Sequence, residues 1–429
     1  MTYNYLFASF EGGGNVPALA AAVRRLRARG HAVRVLGDDA MRDDIEEAGG
    51  IFVPWVKAYN RLDRSIESDP LKDWEATEPG GGLIRILDRL TIGPASAYAA
   101  DTLAELRRSP ADAVIGVDLL FGPMIAARAA GVPLAILGSN ISIFAPIPGM
   151  PPVGPGLCPP VSEEEHAVAA GAAAWFADRV NERLPVLNAA RAEHGLPPLS
   201  DGFDQTREAD MILLATSQAF DFPVPVLPPG MRYVGPLLDQ PIWAEAWTSP
   251  WADDDPRPLI LVAMSTTFQD QAGTIQAVLD AAAPLPARVL VTLGPSLTAE
   301  GLSVPDNAAL VASAPHEDVM PRAAVVVTHC GHGTAMRALL HRRPMLCLPM
   351  GRDQNDNAAR IVARGAGIRL GPDADVPSLR QALAALLNDP LYAQAADALG
   401  RAIAAAEPAD ALVAALEDVV AAPRQRAAA

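Results

Sequence analysis

The residues of this chain best suited to chemistry are Thr328-His329-Cys330-Gly331-His332-Gly333-Thr334 and, after one short apolar run, Pro349-Met350-Gly351-Arg352-Asp353-Gln354-Asn355-Asp356-Asn357. Residues 323–327 end in three valines and read as a strand, while 335–340 read as a helix with Thr334 as its N-cap. A strand, a glycine turn and a helix start aim unpaired backbone N–H groups and the positive end of the helix dipole at one point, so an anion belongs there. Asp353 only accepts hydrogen bonds and Gln354 both donates and accepts, a pairing that suits sugar hydroxyls.

These loops need sheets to hold them. Residues 5–10, a turn at Gly12-Gly13-Gly14, a helix over 18–29 stopped by Gly30 and a strand over 32–36 form a βαβ unit. Strands over 113–117 and 134–137 flank a helix over 124–130, and 211–215 reads as another strand, so the sheet should be parallel. Residues 144–160, rich in proline and glycine, form a loop able to line a cleft, and 166–194 looks helical. Five further apolar strands, at 259–263, 287–292, 309–311, 323–327 and 345–348, build a second doubly wound sheet. The proline-rich stretch 236–257 with its Asp253-Asp254-Asp255 run joins the two, the run reading as a solvated linker and not a metal site. The expected organisation is an N-terminal Rossmann-like domain over 1–235, a linker over 236–257, a C-terminal Rossmann-like domain over 258–405 and a final helix over 406–429 that packs back on the first domain.

Length and composition agree with this division. A chain of 429 residues, half of them hydrophobic, exceeds one ordinary core. Its formal net charge of −16 disfavours nucleic acid as a partner. Cys158, Cys330 and Cys347 have neither a disulfide nor a metal spacing, no run approaches a membrane span, and the first residues lack a signal-peptide pattern, so a soluble cytoplasmic protein without stable membrane insertion is expected. Oligomeric state has no reading here, and a homodimer stays open.

Gly12-Gly13-Gly14-Asn15 follows a strand and precedes a helix, as a dinucleotide fingerprint would, with Asp38 and Asp39 where a ribose-binding acid belongs. Pro17, however, stands where the third glycine should be, and a hydride-transfer enzyme leaves the 329–357 constellation unexplained.

His329-Cys330-Gly331-His332-Gly333-Thr334, Pro349 with Asp353-Gln354 and Asn357, Pro315-His316 and Met264-Ser265-Thr266-Thr267 together resemble the donor-binding signature of the family 1 glycosyltransferases, among them the bacterial enzymes that decorate macrolides and other antibiotics. Residues 13–19, Arg29-Gly30-His31 and Asp118 match the usual first domain in position, more loosely. The resemblance implies a GT-B fold, two Rossmann-like doubly wound α/β domains facing a central cleft. It also implies an inverting, metal-independent transfer of a hexose from a UDP- or dTDP-sugar to a small, largely apolar acceptor, with no cofactor beyond that co-substrate. On this resemblance His329 and the amides of Gly331, His332, Gly333 and Thr334 hold the donor diphosphate. Ser265 and Thr266 form a second phosphate-side loop, His316 flanks the base, and Asp353 and Gln354 bind the sugar.

The first domain departs from the family at one place. The usual glycine-histidine pair, whose histidine removes the acceptor proton, appears as Gly13-Gly14-Asn15, so the base is missing at Gly14. Asp118, at the position of the family's supporting aspartate, and Glu11 are the candidate replacements, and Asn15 is placed to orient the acceptor but not to deprotonate it. Gly14, Trp55, Trp74 and Phe144 are expected to line the acceptor site. Without that histidine, two other readings remain: a non-catalytic auxiliary paralogue, or a nucleotide-sugar epimerase or hydrolase on the same fold.

Overall fold

The structure, a computed structural model, describes residues 1–239, 242, 246–252 and 254–422. Pro241 of the proline-rich stretch, Asp253 of its acidic run and 423–429 of the C-terminal segment lie outside the described residues.

Two parallel sheets organise the chain. The first contains β1 (Asn4–Ala8), β2 (Ala32–Gly37), β3 (Ile51–Pro54), β4 (Ala113–Val117), β5 (Leu134–Gly138), β6 (Met211–Leu214) and β7 (Met231–Tyr233), in the order β3-β2-β1-β4-β5-β6-β7. The second contains β8 (Leu259–Ala263), β9 (Arg288–Thr292), β10 (Ala308–Val311), β11 (Ala323–Thr328), β12 (Met345–Cys347) and β13 (Gly367–Arg369), in the order β10-β9-β8-β11-β12-β13. Every pairing is parallel. Helices cover both faces, so β4, β5 and β8 are buried along their whole length, as an apolar run inside a parallel sheet must be. The strand order reverses between β1 and β4 in one sheet and between β8 and β11 in the other. Loops at the carboxyl ends of these four strands meet at the two switch points, where α/β sheets bind ligands.

Several boundaries differ from the sequence reading. β3, β7 and β13 were not expected, being short strands of three or four residues at sheet edges with no long apolar run behind them. The single helix expected over 166–194 is two, Glu163–Asn181 and Leu184–Glu193, the second opened by Pro185 near its start, where a missing N–H costs nothing. The first of these starts with a capping box in which Ser162 accepts from the Glu165 amide and the Glu165 side chain reaches back. The helix after β11 is His332–Leu340 with Gly331 as N-cap, so Thr334 is its third residue and not its cap.

The last described helix, Ala411–Ala421, contributes Leu412, Val413, Ala415, Leu416 and Val419 to the hydrophobic cluster built on β1 and β2. Glu417 fixes its position further, lying 3.1 Å from both Arg29 Nε and His31 Nε2. The two sheets are also tied by side chains. Asp356 accepts hydrogen bonds from the amides of Gly154 (2.7 Å) and Gly156 (2.9 Å) in the proline-rich loop, and Asp221 pairs with Arg360 at 2.7 Å in a buried ion pair.

Candidate active site

One cleft of about 800 Å³ lies between the sheets, within the usual range for a small-molecule site. From the first sheet it takes the glycine loop 10–17, the segment 69–83, Ser139, Asn140 and Ile143. From the second it takes the loops after β8, β9, β11 and β12. Ser265, Thr266, His316, His329, Gly331, His332, Gly333, Thr334, Asp353 and Gln354 all border it, although 89 residues separate the first from the last in sequence.

The loop after β11 turns backbone donors toward the cleft. Cys330 adopts a left-handed φ of +66°, which turns the chain sharply off the strand, and Gly331 opens the nine-residue helix, so the first-turn amides of His332, Gly333 and Thr334 have no partner within the helix. A Cβ on Gly331 would lie 2.4 Å from His329 Nε2, so glycine is the residue that lets the imidazole sit over this turn. Burial, and next the charge of Arg352, depress His329 to about 3 against a hydrogen bond to the Ala263 backbone, which keeps the ring neutral at working pH and not a cation. Its Nδ1 is buried without a hydrogen-bond partner. His332, held edge-on by Phe220 at 6.1 Å, and His316 are likewise kept neutral, mainly by burial, at about 3 and about 4.

The polar cluster after β12 is more occupied internally than its sequence implies. Gln354 Oε1 accepts from the amides of Met350 (2.8 Å) and Gly351 (3.2 Å), and Nε2 donates to Gln269 at 2.9 Å. Its expected double role toward a sugar is therefore reduced to one remaining N–H. Asp353 Oδ2 accepts from Asn357 at 2.8 Å, and Asn140 of the first sheet also hydrogen-bonds this carboxylate across the cleft. Ser265 Oγ is 3.2 Å from Thr267 Oγ1.

On the opposite wall several expectations are corrected. Asn15 is fully engaged by its own loop: Oδ1 accepts from Gly12 N at 3.1 Å, and Nδ2 donates to Phe10 O at 2.8 Å. Trp55 does not border the cleft. It is 2% exposed in the core, with Nε1 donating to Ser9 O and its ring against Tyr98. Phe144 borders the apolar end but is itself buried among Phe121, Phe176 and Phe203, a support beneath the wall. Trp74 and Gly14 do border the cleft. Glu11 also borders it, but its carboxylate is held by Arg64 Nε at 2.9 Å and by Gly13 N at 2.7 Å. Asp38 accepts from the amides of Glu11 (2.7 Å) and Arg61 (3.0 Å), so the acid that a dinucleotide reading needs is a loop brace.

Asp118 sits one layer behind the cleft wall, bordering a small void with Ser142, Ile143 and Phe144, and its Oδ2 is buried without a partner. Burial, and next the charge of Asp353 among the causes that raise it, push Asp118 from an ordinary 3.8 up to about 7. The folded state therefore keeps a proton that the unfolded chain has lost. The stability this contributes is full below pH 4 and disappears as pH rises through 7. Asp118→Asn, uncharged throughout, should melt several degrees above the wild type at pH 8.5, at roughly 2–4 °C per kcal/mol for domains of this size, and no differently at pH 4. Calorimetry across that range tests this, and a gap independent of pH would remove the assignment.

Residues that the motifs did not bring forward complete the site. Arg352 and its partner Thr267 lie inside the two motifs but had no role there, and its partner Asp73 and the cross-cleft Asn140 carry no local signal. The apolar end of the cleft is formed by Phe10, Trp74, Leu83, Ile86, Leu90 and Ile143 with neighbours.

Residues 276–419 match the family model "Erythromycin biosynthesis protein CIII-like, C-terminal domain". Among similar proteins, the 4'-demethylrebeccamycin synthase of Lentzea aerocolonigenes is 27% identical over 396 residues, covering 90% of this chain and 92% of that protein. The 3-alpha-mycarosylerythronolide B desosaminyl transferase of Saccharopolyspora erythraea is 26% identical over 98% of this chain and 99% of its own length. Among solved structures, the glycotransferase of kitacinnamycin superposes with a TM-score of 0.75 at 19% identity, covering 98% of this chain and 99% of that one. Glycosyltransferase VinC in complex with dTDP superposes with a TM-score of 0.70 at 20% identity, covering 97% and 99%. The fold is GT-B, and the chain resembles the bacterial glycosyltransferases of antibiotic biosynthesis.

Proposed function

We propose that the protein is a glycosyltransferase that moves a hexose, with inversion and without a metal, from a UDP- or dTDP-sugar to a small, largely apolar acceptor. The observation that carries the proposal is the helix start at Gly331–Thr334. Three unpartnered amides, a neutral imidazole and a helix dipole converge there on the cleft, as a departing diphosphate requires. The acceptor atom attacks the anomeric carbon as the bond from that carbon to the diphosphate oxygen breaks. The electron pair leaves with the nucleoside diphosphate, and the hydrogen-bond donors at the helix start offset the charge that develops. Asp353 and the free N–H of Gln354 orient the sugar, His316 flanks the base, and the wall around Trp74 and Ile86 holds the acceptor. Holding both substrates in line supplies much of the rate.

The proton of the acceptor has no ready taker near Gly14. Asn15 is bound to its own loop, Glu11 is held by Arg64, and Asp118 is behind the wall. The site therefore favours an acceptor that is itself acidic, such as a phenol or an N–H of an aromatic heterocycle. Supplying dTDP- and UDP-hexoses with such acceptors and reading the anomeric coupling of the product by NMR tests the reading. A β-linked product from an α-linked donor is expected. Retention of configuration, or release of free sugar or an epimer with no transfer, would contradict it, and unchanged donor despite tight binding would point to an auxiliary subunit.

A further inference from the structure

Arg352 stands immediately before Asp353 yet points away from the role its neighbour suggests. Its φ of +55° is unusual for a residue with a side chain, so the surroundings must hold it there. Two side chains do so. Nε and Nη2 grip the two oxygens of Asp73 at 2.7 and 3.0 Å, a bidentate pair across the cleft between residues 279 apart, and Nη1 donates to Thr267 Oγ1 at 2.9 Å. The Asp73 side chain is only 7% exposed. Beside this pair, Trp74 meets Phe268 edge-on at 5.1 Å. On the far side of Thr267, a Cβ on Gly13 would approach Thr267 Cγ2 to 2.8 Å.

Three segments thus meet at one guanidinium, the loop after β8, the loop after β12 that carries Asp353 and Gln354, and the acceptor-side stretch 69–82, while the glycine loop after β1 packs against Thr267. On its own side of the cleft that stretch is held at Leu71, which is buried in the core with its carbonyl accepting from Arg85 and Arg89, and at Glu75, paired with Arg85 at 3.1 Å; Asp73 ties it to the opposite wall. It contains a three-residue turn, Asp73–Glu75, entered through Lys72 at φ +44°, and then Pro79-Gly80-Gly81-Gly82.

We propose that Arg352 and Asp73 form a cross-cleft clamp in which Arg352 acts as a positioning residue for the acceptor wall and not as a ligand of the donor. The clamp sets Trp74 and the stretch behind it in place when the loop after β12 has its donor-binding shape, so a bound donor completes the acceptor site. A planar, bidentate pair suits this task because it fixes orientation as well as distance, which lysine at the same place would not. The inference rests on the transferase reading above, but part of its test does not.

The test compares wild type with Asp73→Asn, Asp73→Ala, Arg352→Lys, Arg352→Ala and the double alanine variant. For Asp73→Asn, whose shape is unchanged, the acceptor KM should rise at least tenfold while dTDP or UDP affinity stays within twofold. Trypsin cleavage after Lys72 should be slowed by nucleotide in the wild type and not in the variant. The alanine pair should show the same acceptor KM and melting temperature as either single variant, because each already breaks the clamp. The clamp is overturned if Asp73→Asn leaves the acceptor KM unchanged, if Arg352→Lys weakens nucleotide as much as acceptor, or if the two alanine effects add. If the wild type binds no nucleotide, the transferase reading fails, while the melting-temperature cycle still decides whether the two residues act as one unit.

Discussion

His329→Ala should lower kcat for sugar transfer by about 10²–10³, the usual cost of removing one hydrogen-bond donor aimed at developing negative charge. Gly331 leaves room for this imidazole, and burial keeps it neutral from about pH 3 upward. The loss should therefore be the same at pH 6 and pH 9, because no ionisation of the ring is removed with it. His329→Gln, which keeps an N–H near the same place, should recover part of the rate. Steady-state kinetics at both pH values check this, and turnover equal to wild type would separate His329 from the leaving group.

Gly14→His carries the opposite sign. Gly14 has φ −66° and ψ −18°, open to any residue, and a Cβ built on it meets no atom within 4 Å. A histidine there faces the cleft beside the loop that the acceptor must approach. Turnover with an unactivated aliphatic alcohol should rise by about 10²-fold or more, within the 10²–10⁴ range of a positioned general base. The gained rate should fall below about pH 6.5, where imidazole takes up its proton. With an acidic phenol the gain should be small, since that acceptor ionises without help. Equal, negligible gains with both acceptors would mean that proton removal is already provided elsewhere in the wild type.

The sequence made the sheets legible where strands are central and apolar: 113–117 and 259–263 have the same limits in the structure. It hid β3, β7 and β13, because edge strands of three or four residues carry too little pattern to stand out. Helix starts were read less well where two signals competed. Thr334 is a good cap by type, yet the extended Gly331 begins the helix three residues earlier, and the capping box of Ser162 with Glu165 starts a helix at Glu163, ahead of the expected 166. Residues in contiguous motifs border one cleft, since the strand end before each motif positions the whole of it. Residues whose role depends on a partner across the cleft carry no such signal: nothing near Asp73 foretells Arg352, and nothing near Asn140 foretells Asp353. Trp55 was misplaced for a related reason, as an aromatic beside a loop reads alike whether it faces a ligand or, as here, Tyr98 in the core.

The account depends most on the second sheet cradling a pyrophosphate. Amide hydrogen exchange with and without saturating dTDP or UDP tests that most directly. Slowed exchange is predicted at 331–334 and in the loop 264–267, with the glycine loop 10–14 little changed by nucleotide alone. Protection confined to 10–14 and the end of β2, or none anywhere, would contradict it.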